Sequence, residues 1–220
     1  MHFGAEKEGQ AMQPRVFRLF VSILITGMAM TTPASAADFE VTPFAGYTMG
    51  GEFTNAETGN TLSFDETSSY GIMLDFRQAG DSDSWIEVYL SRQQTKLKTD
   101  QGLFVGNPLL DVNVEYYHIG GTYGQATGKI RPFVVGTFGA THMVPKQDGL
   151  DSETKFSLSL GGGVRLYLTE HVGIRLDARW FGTLFNGSGG VFCSNGACLV
   201  TVQGDVLSQY TANAGIILAF

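Results

Sequence analysis

The chain has 220 residues, 43% of them hydrophobic and 16% charged, with a formal net charge of −7. That acidic balance, with no basic face to set against phosphates, argues against nucleic-acid binding. The length suits one domain, and no low-complexity linker or charge run divides it.

In chain order, Arg15 and Arg18 come first, followed by an apolar run over 19–30 and then Ala34-Ser35-Ala36. A positive start, a short apolar middle and small residues at the cut predict a secretory signal peptide over 1–36. The apolar run is shorter than the ~20 residues that a spanning helix needs. Residues 1–11 carry Glu6, Lys7 and Glu8 and look unlike a signal, so Met12 is a candidate true start. The mature domain is then 37–220. Its charge is −8, from 11 basic residues (14 less Lys7, Arg15 and Arg18) and 19 acidic ones (21 less Glu6 and Glu8). Outside the cytoplasm the close pair Cys193 and Cys198 reads as a disulfide. A metal needs more ligands, and no His lies in that segment.

The mature part breaks into eight stretches whose apolar residues recur with a period of two, the signature of strands. The first, 39–50, sets Phe39, Val41, Ala45 and Tyr47 against Glu40, Thr42, Phe44 and Gly46. The second, 69–78, sets Tyr70, Ile72, Leu74 and Phe76 against Gly71, Met73, Asp75 and Arg77. The third, 84–96, sets Ile86, Val88 and Leu90 against Glu87, Tyr89 and Ser91. In the fourth, 111–123, Val112, Val114 and Tyr116 oppose Asn113, Glu115 and Tyr117, and the acid marks the inward phase. The fifth, 130–143, is ambiguous, because Val134 and Phe138 compete with Phe133 and Val135. The sixth, 154–168, sets Phe156, Leu158, Leu160, Val164 and Leu166 against Ser157, Ser159, Gly161, Gly163 and Arg165. The seventh, 171–184, sets Ile174, Leu176, Ala178 and Trp180 against Arg175, Asp177, Arg179 and Phe181. The eighth carries Tyr210, Ala212, Ala214, Ile216 and Leu218 on one face and ends at Phe220.

Links at 81–83, 126–128 and 169–170 are short, whereas 51–68, 97–110, 144–153 and 185–208 are long. The alternation places both termini on the short-turn side. One greasy face per strand, with nothing after the last strand to cover it, makes sense if the strands close a barrel whose outside meets lipid. The last eight residues resemble the terminal signal of bacterial outer-membrane β-barrels, which reads polar, any, Gly, two of any, hydrophobic, any, aromatic. Asn213, Gly215, Leu218 and Phe220 fill its fixed positions. Pro43-Phe44-Ala45-Gly46-Tyr47, Gly120-Gly121-Thr122-Tyr123, Arg131-Pro132-Phe133-Val134 and 168–175 resemble recurring phrases of small OmpA/OmpX-like barrel domains. The resemblance implies an all-β fold, an eight-stranded antiparallel up-and-down transmembrane barrel. It also implies residence in the bacterial outer membrane, contact with outer-membrane lipid and lipopolysaccharide, and recognition by the barrel-assembly machinery. The long loops are expected outside and both termini in the periplasm.

An eight-stranded barrel has an interior just wide enough for side chains. The inward phase supplies Glu40, Asp75, Glu87, Glu115 and Asp177 together with Arg77, Arg165, Arg175 and Arg179, which predicts an ion-pair network plugging the lumen. Tyr47, Tyr70, Phe76, Tyr116, Trp180, Tyr210 and Phe220 are expected in outward aromatic girdles. The mature histidines are His118, read as outward or interfacial, His171, read as a solvated turn residue, and His142, near the long-loop rim and close to Glu153 and Ser157. The His-x-Ser spacing of the barrel deacylases is absent at His142-Met143-Val144, so no catalytic residue, cofactor or metal is assigned. The expected role is structural or interactive, in envelope integrity or adhesion. The alternatives are a narrow channel for ions or small solutes and a lipid A-modifying enzyme. No surface ligand can be read from the chain.

Overall fold

The computed structural model describes residues 38–54, 61–80, 83–99, 108–125, 127–147, 149–185, 188–194, 197–203 and 206–220. The leader expected over 1–36 lies outside them. Twelve strands follow one another: β1 (Phe39–Gly50), β2 (Glu52–Thr54), β3 (Thr61–Phe64), β4 (Thr67–Arg77), β5 (Ser84–Thr99), β6 (Pro108–Gly124), β7 (Ile130–Pro145), β8 (Glu153–Tyr167), β9 (Val172–Leu184), β10 (Ser188–Ser194), β11 (Ala197–Gln203) and β12 (Val206–Ala219). Eight are long. They pair antiparallel in the ring β1-β4-β5-β6-β7-β8-β9-β12, and β12 returns to β1. Closure leaves the eight-stranded ring without a free edge, the condition for a sheet to sit in lipid. The long strands run to 11–17 residues, enough for the 9–11 that a tilted crossing needs.

Hydrogen-bonded partners fix the stagger. One way round from Phe44 they run Gly71, Ser91, Tyr116, Thr141, Lys155. The other way they run Gly215, Arg175, Arg165. The two paths meet on β8 ten residues apart, at 155 and 165. A stagger of that size tilts the strands by about 40°. It also draws neighbouring backbones close where the wall coils: a Cβ on Gly163 would stand 2.2 Å from the Leu176 carbonyl oxygen. The glycines at 161–163 of β8 permit this close approach. Gly128, with φ 93, turns the chain between β6 and β7 in a conformation other residues avoid.

The outer wall is apolar. Ile130, Val134, Phe138, Leu160 and Ile216 are each more than half exposed. In water such a surface would be an aggregation hazard; against acyl chains it is the ground state. The fifth strand's phase is settled, with Val134 and Phe138 outward and Phe133 and Val135 inward.

The fourth strand's phase reverses the expectation. Val112, Val114 and Tyr116 are buried inside β6, whereas Tyr117, Ile119 and Tyr123 face outward. Glu115 therefore belongs to the outer face and Tyr116 leaves the aromatic girdle. The inference from charge failed because Glu115 lies near the long-loop rim, where an outward charge reaches water, and because the lumen there is apolar. Two further hairpins were not expected. β2 and β3 pair, and β3 continues onto β5; β10 and β11 form a separate two-stranded sheet.

Candidate functional site

The lumen is the candidate site, and its short-turn half is ionic. On β9, a period of two turns Arg175, Asp177 and Arg179 inward together. β5 stands diametrically opposite, four places round the ring. Arg175 reaches across it to Glu87 (Nη2–Oε2 2.5 Å) and to Asp75 on β4 (Nη1–Oδ2 2.8 Å). Arg179 Nη1 lies 2.6 Å from Glu87 Oε1. Asp177 bridges the two arginines, 3.1 Å from each Nε. From β8, Arg165 donates to Asp75 at 3.0 Å and to Thr122 at 3.0 Å. Its Nε stands 3.7 Å from Glu40.

Four carboxylates (Glu40, Asp75, Glu87, Asp177) thus face three guanidinium groups (Arg165, Arg175, Arg179). Neutral donors help satisfy the surplus acid: Asn213 Nδ2 donates to Asp177 at 2.8 Å and the Tyr167 hydroxyl donates to Glu40. Aromatic faces complete the packing, with Arg175 over Phe133 at 4.5 Å and Arg179 over Tyr89 at 4.6 Å. Buried charges persist only when paired and hydrogen-bonded in this way.

Two of the expected network residues sit elsewhere. Arg77 lies at the short-turn mouth, 3.5 Å from Asp38 and over the Trp85 ring. Glu115 is on the outer wall, 3.6 Å from Arg92, and accepts a 2.5 Å hydrogen bond from Tyr117. Sequence reasoning missed Tyr167, Thr122 and Asn213 as lumen residues. Tyr167 shares the inward phase of Arg165, a signal that was there to be used.

Above the ions the lumen turns aromatic, then aliphatic. Phe44 stacks on Tyr89 at 5.2 Å and Tyr116 lies on Phe181 at 4.2 Å. His118, expected outward, is buried here, with Nε2 2.8 Å from Ser157 Oγ and Nδ1 3.0 Å from Thr137 Oγ1. Its inward place follows from the reversed phase of β6. His142 pairs instead with Thr154 at 2.8 Å, and His171 is exposed in the β8–β9 turn. Leu97, Val112, Met143 and Leu207 close the long-loop end, covered by Leu62 and Phe64 of β3. Among the described residues no group of three or more His, Cys, Asp or Glu has metal-binding geometry.

The terminal motif is split between faces. Asn213 and Gly215 point inward, whereas Leu218 and Phe220 point outward. The Phe220 amide bonds the Phe39 carbonyl, tying the last residue into the closing seam. The backbones of Cys193 and Cys198 face each other across β10 and β11; their side chains lie outside the described residues.

Among solved structures, the chain is similar to Neisserial surface protein A (TM-score 0.54, 16% identity, covering 85% of this chain and 100% of that one). It is likewise similar to OprG from Pseudomonas aeruginosa (0.55, 16%, 84% and 96%) and to outer membrane protein AlkL (0.53, 13%, 88% and 97%). At these identities the likeness is one of fold. No curated protein sequence matches the chain significantly. The family model described as "Outer membrane protein beta-barrel domain" matches residues 22–214. A closed antiparallel ring with a lipid-compatible wall and a sequence match over most of its length make the chain a member of the outer-membrane protein β-barrel domain family.

Proposed function

We propose that the protein is a closed-lumen barrel of the outer membrane whose work is done by its long loops and outer wall, in envelope integrity or adhesion. The observation that carries this reading is the ion-pair network from β9 to β5, whose side chains are at most 6% exposed. A stacked aromatic and aliphatic layer lies above it. Neither layer suits rapid ion passage. The proposed orientation sets the long loops outside and both termini in the periplasm, as short periplasmic turns and longer outer loops require. The assembly machinery reads Asn213, Gly215, Leu218 and Phe220. A Cys193–Cys198 disulfide stiffens the β10–β11 hairpin, in keeping with their opposed backbones. The imidazole and hydroxyl groups of His118 and Ser157 are sealed in the lumen, which favours a non-enzymatic role without cofactor.

Planar-bilayer recording on the purified barrel tests the reading. No stable conductance is expected from the native protein, whereas Glu87→Ala, which takes one carboxylate from each of the two crossing arginines, is expected to leak. Steady channel openings from the native protein would overturn the closed lumen. A cell-adhesion assay comparing expressing and non-expressing bacteria then separates surface attachment from envelope integrity.

A further inference from the structure

We propose that the β2–β3 hairpin is a hinged lid. Closed, it seals the apolar end of the lumen with Leu62 and Phe64; open, it uncovers the cup formed by Leu97, Val112 and Leu207. The inference is independent of the ionic layer below and holds whichever way the barrel inserts.

One hairpin runs through β1, β2, β3 and β4, and its ladder breaks at a single level. The last β1–β4 pair is Thr48 with Thr67, and the first β2–β3 pair is Glu52 with Ser63. The register is the same on both sides, yet positions 49–51 and 64–66 make no ladder pair with each other. The Phe64 amide still donates to the Gly51 carbonyl at 3.0 Å. Gly50 and Gly51 have φ of 80 and 103, a conformation that other residues avoid. The supporting strand is interrupted at the same height, where β5 carries β3 and shifts its register against β6 between Leu97 and Lys98. Neighbouring strands that break along one line bend there.

The hinge is closed in this structure. The buried side chains of β4 include Ser69, Met73 and Asp75, at odd positions; those of β3 are Leu62 and Phe64, at even ones. A straight hairpin keeps one face inward along its length, and would leave Leu62 and Phe64 outside the lumen. The bend carries them instead into the cluster of Leu97, Val112, Met143 and Leu207. It is tight at Gly51, where a Cβ would stand 3.1 Å from Phe64 Cδ2 and 3.2 Å from the Gln209 side chain.

The lid is lightly held. β3 makes three pairs with β5, whereas β4 makes nine, so the lid opens at less cost than the ring. Asp65 supplies the latch. Its amide donates to the Lys96 carbonyl at 2.9 Å, its carbonyl accepts from Thr95 Oγ1 at 2.6 Å, and its carboxylate meets Lys98 Nζ at 2.5 Å. Both side chains of that ion pair are about a third exposed, which keeps its contribution modest.

The test places one reporter thiol beneath the lid, Leu207→Cys, in the full chain with Cys193→Ser and Cys198→Ser. Labelling by a charged maleimide is followed on the protein folded in detergent. A buried thiol reacts through opening, so its rate follows the open fraction. The reporter is expected to label slowly, and labelling as fast as in the urea-unfolded chain overturns the lid. Gly51→Val, which forces a side chain into the bend, is expected to speed labelling about tenfold. Lys98→Gln is expected to speed it up to about fivefold. Lys96→Gln, which removes a charge from the outer wall beside the latch, is expected to leave it unchanged. Equal rates in all three variants overturn the hinge. An unaltered shift between boiled and unboiled samples on a gel shows that each variant folds. Val112→Cys, across the mouth on β6, serves as a second reporter and is expected to rank the variants in the same order; a different order overturns opening as a unit.

Discussion

From the short-turn end to mid-barrel the lumen is filled by carboxylates and guanidinium groups; from there to the long loops it is filled mainly by Tyr116, Phe181, Leu97, Met143 and Leu207, with hydrogen-bonded neutral groups such as Gln93 and Gln209 among them. Both halves use the inward phase of the same strands, as β5 does with Glu87 and Leu97 and β9 with Arg179 and Phe181. They solve the filling of a narrow barrel in opposite ways. The ionic half is all-or-none, because each charge is tolerable only while its partners remain. The apolar half is graded, since trimming a side chain costs in proportion to the space left behind. The difference also separates two meanings of "inward": in a membrane barrel it means shielded from lipid, and it does not by itself mean polar.

The largest effect should come from breaking the ionic half. Glu87→Ala leaves Arg175 and Arg179 each short of a carboxylate in a buried site, and should cost about 3–5 kcal/mol in urea unfolding from lipid vesicles. Leu97→Ala in the apolar half, fully buried, should cost about 2–5 kcal/mol in the same assay and should open no conductance. Between the halves, Ser157→Ala strips His118 Nε2 of its partner, for about 1–3 kcal/mol; a loss below that range would mean that water already reaches the imidazole. Smallest is Glu115→Gln. Its pair with Arg92 is on the outer wall, so less than about 1 kcal/mol is expected. A cost as large as that of Glu87→Ala would return Glu115 to the lumen and undo the assigned phase of β6.

The alternation in the first, second, third, sixth, seventh and eighth stretches was legible because each carries a clean apolar face. Glu40, Asp75, Glu87, Arg165, Arg175, Asp177 and Arg179 were turned inward on that pattern, and each is buried. The fourth stretch was misread for a physical reason. Its outward face carries Glu115 at the rim and its inward face carries Val112, Val114 and Tyr116, so the rule that charge points inward gave the wrong answer. The hairpin β2–β3 was passed over because its strands are only three and four residues long, too short for periodicity to show. The partners of each arginine were not readable either. Asp75 lies 100 positions from Arg175 along the chain, and only the ring's stagger brings them together.

By itself the sequence determined a closed antiparallel barrel for lipid: eight strand-like stretches, six of them with a clean apolar face, joined by links of alternating length admit little else. Tertiary structure decided what the barrel holds. Stagger chose which inward side chains share a level, so that Glu87 meets Arg175 and Arg179 across the lumen while Leu97, Met143 and Leu207 meet one another above. Strand pattern encodes which way a side chain points; only closure of the ring sets what it points at.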